Sequence, residues 1–271
     1  MKLRTQLLTH NRCYRAGKTI MPQGIMVHST GANNPRVSRY VPGDDVLGYN
    51  RGGNHWDQPE LGVCVHAFIG RFADGTVGTV QTLPWNRRGW HCGQGKGGSG
   101  NDTHISFELC EDDLRSPTYF RAVYQEAVEL TAYLCRKYSL GPLDDGVVIC
   151  HSEGHARGIA SNHADVMHWF PRYGKNMDTF RADVARQLEG VMDLTQEQIR
   201  KIVREEIAKA ERERESKPAA PWAKPYIQRA IDSGLMAENG SGSIDRPMAA
   251  MSRQEAAAFG VAVLEAAARK G

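Results

Sequence analysis

The chain has no apolar run approaching the roughly 18 residues that a membrane-spanning helix requires, so no membrane span is expected. Its opening stretch, MKLRTQLLTHNRCYRAGK, carries charge but lacks the apolar core of a Sec signal peptide, and none is expected. Charge of one sign is also scarce. With 34 Lys and Arg against 31 Asp and Glu, the net +3 is too small to point to nucleic acid. The six cysteines (Cys13, Cys64, Cys92, Cys110, Cys135 and Cys150) include no C-x-x-C pair, and most lie beside apolar residues. They read as reduced thiols of a protein made in a cytoplasm, not as a disulfide framework. No H-E-x-x-H occurs, and His151-Ser152-Glu153 is not followed by P-C-x-x-C, which removes the zincin and deaminase readings. A P-loop is excluded because no Ser or Thr follows Gly95-Lys96. Gly93-x-Gly95-x-x-Gly98 matches a dinucleotide fingerprint in form only. It leads into a strand-like run, not a helix, and reads as a flexible loop.

What is present fits an α/β domain. Hydrophobic residues make up 41% of the chain, enough for a real core. GIMVHST (24–30) reads as a buried strand that delivers His28 at its end. The Gly-, Asn-, Asp- and Pro-rich stretch that follows, to about residue 60, reads as a long surface loop. Runs at 61–70 and 76–83 flank Asp74-Gly75 and predict a hairpin. THISFELC (103–110) alternates and predicts a strand carrying Glu108. Ser116-Pro117 opens a helix with a cap and a first-turn proline. Its core face is Phe120, Val123, Ala127, Leu130, Leu134 and Tyr138, and Gly141-Pro142 stops it. GVVI (146–149) predicts a buried strand that runs into a Gly- and Ser-rich loop, and 178–188 predicts a closing helix.

The composition then changes. Thr195 with Gln198 forms a capping box, Leu194 with Ile199 a hydrophobic staple, and Ile199, Ile202, Val203 and Ile207 line one side of the helix they open. KPAAP (217–221) reads as a linker. Two short helical patterns follow, at 223–233 and 253–269, around a Gly/Ser turn at 239–243. The expected organisation is a mixed α/β domain over 1–190, a helical spacer and linker over 191–220, and a small helical module over 221–271.

The stretch richest in chemistry is CHSEGHARGIASNHADVMHWF (150–170), with four histidines, a glutamate and an aspartate. His28, His151 and Asp165 form a candidate zinc triad. Imidazoles at strand ends and a loop carboxylate are usual ligands, and three protein ligands with an open fourth position mark a catalytic site. On spacing alone, histidines at strand ends are more often simply hydrogen-bonded, and His155 and His168 stand as alternative ligands. Glu108, on an otherwise apolar strand, is either a half-exposed strand residue or a general base for a metal-activated water. His91 and Trp90 lie in a loop that either lines a cleft or covers the core edge.

Together these residues resemble the zinc-dependent N-acetylmuramoyl-L-alanine amidases of the type-2 class, the fold shared with phage lysozyme-type amidases and peptidoglycan recognition proteins. Five stretches over about 20–190 carry the resemblance, in the expected order: GIMVHSTGANN, HAFIGRFADGTV, RGWHCG, NDTHISFELCED and CHSEG…SNHADVMHWF. The resemblance implies a central mixed β-sheet flanked by helices, with zinc at the floor of a groove. It implies His28, His151 and Asp165 as ligands and Glu108 as the catalytic base. His163 falls where relatives often carry a transition-state-stabilising lysine, a departure from the pattern. The implied reaction is hydrolysis of the amide between N-acetylmuramic acid and the stem peptide's L-alanine. Trp56, Trp90 and His91 are expected to contact substrate, and Trp85 is a further tryptophan able to stack or to join the core.

More loosely, 221–271 resembles an S-layer-homology-like or endolysin wall-binding repeat, which implies a secondary wall polymer as its ligand. The layout resembles that of a phage or prophage endolysin, made in the host cytoplasm and acting at the bacterial cell wall. Two other readings remain open: a recognition module that binds peptidoglycan without cutting it, and a zinc peptidase acting within the stem peptide.

Overall fold

The computed structural model describes residues 1–192, 203–209 and 224–232. The chain divides into two units, Met1–Asp193 and Leu194–Gly271. The first is built on a six-stranded mixed sheet. Its strands are β1 (Leu3–Thr5), β2 (Gly24–Ser29), β3 (Ala67–Arg71), β4 (Val77–Gln81), β5 (His104–Leu109) and β6 (Val148–Cys150), in the spatial order β1-β4-β3-β5-β2-β6. Only the β3–β4 hairpin is antiparallel; the other pairs run parallel. Its turn uses Gly75 at φ +82°, a left-handed conformation that glycine adopts without a steric penalty.

Strand periodicity divides the sheet into two chemically different faces. Ile25 and Val27 of β2, Ala67 and Ile69 of β3, and Ile105, Phe107 and Leu109 of β5 pack with the long helix α2 (Pro117–Tyr138) and with α4 (Met177–Met192). The intervening residues, His28, Phe68 and Glu108, point to the other face. That face is covered by long connections whose core includes Val37, Tyr40, Val65, Phe72 and Leu83. Ser116 caps α2 by accepting from the Tyr119 amide, as its sequence position predicts. The helix ends earlier than Gly141-Pro142, because Ser139 turns left-handed at φ 55°.

Three expectations change. The first strand of the hairpin begins at Ala67, not Leu61; Cys64 makes an isolated bridge with Trp90 instead. The segment after β6 is not a loop at first but a short helix, α3 (His151–Ala156), whose Glu153 accepts from the Cys150 amide and pairs with Arg181 of α4. The Gly-rich loop at 93–98 is anchored: Gly97 donates to the Gly158 carbonyl at 2.8 Å, and a Cβ on Gly95 would lie 2.1 Å from that same oxygen. Glycine is there to let two backbones touch. The N-terminal β1 and the short helix α1 (Arg12–Arg15) have no counterpart among the sequence expectations.

In the second unit the described residues are helical, α5 over 203–209 and α6 (Lys224–Asp232). Helix α6 falls within the 223–233 pattern, and Val203 and Ile207 of the expected stripe are about half exposed. The capping box at 195–198, the KPAAP linker, the turn at 239–243 and the 253–269 pattern lie outside the described residues. Among the described residues no helix is long and apolar enough to cross a membrane. All six cysteines are buried and unbridged.

Candidate metal centre and cleft

The sheet register assembles the site. His28 on β2 pairs across the ladder with Glu108 on β5, and Val27 with Cys150, the last residue of β6. His151 therefore leaves β6 beside His28 as the first residue of α3. Because β5, β2 and β6 are parallel, all three side chains gather at one carboxyl edge, where open α/β sheets place their ligands. Asp165 comes from the irregular segment beyond α3. That segment is pinned behind it by Val166, Trp169 and Phe170, all fully buried against α2.

The structure brings His28, His151 and Asp165 together and buries all three. The Nδ1 atoms of His28 and His151 are 3.2 Å apart, and they lie 3.1 and 3.4 Å from Asp165 Oδ2. A tetrahedral zinc with bonds of about 2.0–2.1 Å needs its donor atoms about 3.3 Å apart. The three separations match one face of such a tetrahedron. The two rings stand at 90° to each other, so two lone pairs converge where stacked rings would diverge. The donor set, two imidazoles and a carboxylate, is one that zinc accepts. The residues present therefore fit the metal.

Electrostatics agree with a ligand set. Burial holds the His28 imidazole below its usual pKa, which keeps it neutral and able to coordinate. Burial alone would push the Asp165 carboxyl up, but the imidazoles of His151, His28 and His163 that face it outweigh burial and hold it well below the usual carboxylate range. Beside them, Glu108 is pushed well above the usual carboxylate range, first by burial and then by the charges of Asp165 and Glu111. Its Oε2 is buried without a hydrogen-bond partner.

These groups line a cleft of about 310 Å³. Thr30, Trp56, Val63 and Val65 form one wall, and Trp90 to Gly93 with Ser161 form another. His163 stands at the mouth, two-thirds exposed, with Nδ1 on Asp165 and its ring stacked on His151. Trp90 is exposed, whereas Trp56 is half-buried, edge-on to Phe68 with ring centroids 5.0 Å apart. His91 lines the cleft but turns its Nδ1 toward His28. Trp85 is in the core beside Tyr133, away from the cleft. The alternative ligands are engaged elsewhere: His155 with the Ala160 carbonyl, His168 with Glu111. Sequence reasoning missed Asn101 and Ser161, which hold the loop at 91–93, Ser161 from 69 residues away. The Asn-Asp pair that opens the β5 segment was the one local signal.

Among solved structures the chain is similar to the Staphylococcus aureus hydrolase AmiA, at 18% identity and a TM-score of 0.51, over 70% of this chain and 84% of that one. PlyL matches at 22% identity and a TM-score of 0.47, covering 68% of this chain and 97% of that one. A mutant endolysin from Bacillus subtilis matches at 19% and 0.46, covering 68% and 99%. No curated protein matches significantly. A family model described as N-acetylmuramoyl-L-alanine amidase, Amidase_2, matches residues 17–168, a span that holds His28, Glu108, His151 and Asp165 and makes up more than half of the chain. The chain belongs to the Amidase_2 family of N-acetylmuramoyl-L-alanine amidases.

Proposed function

We propose that this protein hydrolyses the amide bond between N-acetylmuramic acid and L-alanine in peptidoglycan, with one zinc ion held by His28, His151 and Asp165. The observation that carries the reading is the spacing of the three donor atoms, with the unpartnered oxygen of Glu108 in the same cleft. A zinc ion so held supplies Lewis acidity, polarising a carbonyl and acidifying water.

The chain's own residues do the rest. Glu108 takes the proton of the attacking water and delivers it to the departing amine of L-alanine. Burial raises its pKa, which strengthens it as a base for that proton. His163, at the cleft mouth beside Asp165, stabilises the oxyanion. Trp56, Trp90 and the cleft-facing edge of His91 form the wall along which the substrate lies.

The wider reading is a phage or prophage endolysin. In it, 1–190 cuts the wall, 191–220 is spacer and linker, and 221–271 binds a secondary wall polymer. The protein is made in the host cytoplasm and acts at the cell wall.

The test is zinc content together with lysis of purified cell walls, before and after chelation and zinc add-back, with mass spectrometry of the fragments. One zinc per chain and release of stem peptides with free L-alanine amino termini support the reading. Bound zinc without cleavage would identify a recognition module, and new termini inside the stem peptide would identify a peptidase.

A further inference from the structure

Each ligand imidazole uses Nδ1 toward the centre, so each Nε2 faces outward and needs a partner of its own. His28 Nε2 lies 3.0 Å from His91 Nδ1. His151 Nε2 lies 3.3 Å from Ser161 Oγ, which lies 3.2 Å from the Cys92 carbonyl oxygen. The two outward contacts therefore end on adjacent residues of one short segment. That segment belongs to no helix and no strand of the sheet. It is held by Asn101, which is fully buried: Oδ1 accepts from the His91 amide at 2.7 Å and the Cys92 amide at 3.3 Å, and Nδ2 donates to the Gly93 carbonyl at 2.8 Å. Ser99 Oγ in turn accepts from Asn101 Nδ2 at 2.7 Å.

We propose that the segment 91–93, clamped by Asn101, is a brace that orients both imidazole ligands, with His91 and Ser161 as its two arms. The inference rests on the zinc reading above. A neutral imidazole carries one N–H, and the nitrogen that coordinates must be the one without it. On one arm, His91 Nδ1 accepts the Nε2–H of His28. On the other, Ser161 Oγ accepts the Nε2–H of His151 while its own hydroxyl donates to Cys92. Both arms select the tautomer that leaves Nδ1 free, and both fix the ring planes. Partners of this kind are worth roughly 10–100-fold in metal affinity. His91, Ser161 and Asn101 are thus positioning residues, acting through the ligands.

The experiment is zinc affinity of the full chain by chelator competition, with the melting temperature of the metal-free protein measured in parallel. Ser161→Ala and His91→Phe each weaken zinc binding by roughly 10–100-fold. Ser161→Thr, which keeps the hydroxyl, and His91→Asn, whose amide oxygen replaces the Nδ1 acceptor, restore most of the loss. A merely structural role would not follow the hydroxyl and the acceptor in this way. Asn101→Asp keeps the Oδ1 acceptor but sets an oxygen against the Gly93 carbonyl, and it weakens binding at least as much as either arm. If Asn101→Asp fails to fold, the paired variants of the two arms decide. Parent-like affinity in Ser161→Ala and His91→Phe overturns the brace and leaves the zinc reading standing. A parent protein that binds no zinc overturns both.

Discussion

Replacing Glu108 by Gln tests the site through stability as well as rate. Glu108 Oε2 is buried with no partner, and burial, Asp165 and Glu111 all disfavour its ionised form. A buried group left unsatisfied costs about 1–3 kcal/mol, and more if charged. In the metal-free protein, Gln removes the charge at nearly constant volume. Gln leaves its own amide unsatisfied there, so the gain is the extra cost of the charge alone, and each kcal/mol of it raises the melting temperature of a unit of this size by about 2–4 °C. The sign depends on pH. Below about 4.3 both states hold the proton and the carboxyl costs little. As pH rises from there to the raised value, the unfolded chain gives up a proton that the fold keeps, and stability is lost. The advantage of Gln therefore grows with pH. The assay is scanning calorimetry of chelated parent and variant across pH, with hydrolysis of purified peptidoglycan alongside. Loss of a general base lowers the rate by about 10²–10⁴-fold. A variant that melts at or below the parent throughout, or that still cleaves at the parental rate, would refute the reasoning.

Further predictions follow from the same geometry. Asp165→Ala removes the carboxylate that faces both imidazoles, so stoichiometric zinc, read by atomic absorption, and wall lysis are both lost, while sedimentation with insoluble walls persists. Parental lysis in that variant would show the ligand set to be wrong. Burial holds His28, His66 and His91 below the ordinary imidazole range, His66 at about 4. The unfolded chain protonates these groups near pH 6.5 while the fold does not, so metal-free stability falls as pH drops from about 6.5 toward 4. Urea midpoints across that range give the slope, and Glu108→Gln steepens it by removing an opposing term. Gly95→Ala drives a methyl to 2.1 Å from the Gly158 carbonyl oxygen, and separating the two backbones costs about 1–3 kcal/mol, visible as a lowered urea midpoint. Unchanged stability there would mean that the two loops do not touch.

Much of the catalytic unit is legible in the sequence because local rules and tertiary demands agree. GIMVHS and HISFEL alternate as strands of a half-polar sheet must, and the same alternation puts His28 and Glu108 on the face away from α2. Ser116, Pro117 and a regular apolar stripe announce α2. What escaped reading depends on contacts distant in sequence. Strand β1 has three residues and little hydrophobic signal; it is held by Glu126 of α2, which accepts from the Lys2 amide at 3.0 Å. Helix α3 contains Gly154 and spans six residues, too short to stand on propensity; Arg181 of α4 anchors its Glu153. His91 sits in a loop whose composition predicts exposure, but the Asn101 clamp turns its ring to His28. A fully buried asparagine carries no periodic signature, so its clamping role emerges only from the three amide and carbonyl groups it meets.

The order of the strands also says when the site can exist during synthesis. Its parts come from residue 28, residue 108 and the stretch 151–165, and β2 receives β5 on one side and β6 on the other. A chain elongated only as far as β5 holds one imidazole and one carboxylate, too few to trap a metal. Capture must await a late, long-range closure of the central strands, the kind of pairing that slows folding most. On the proposed zinc reading, the free energy of binding the ion would then add to that of the finished sheet, and the ion would serve as a lock applied after the sheet has closed.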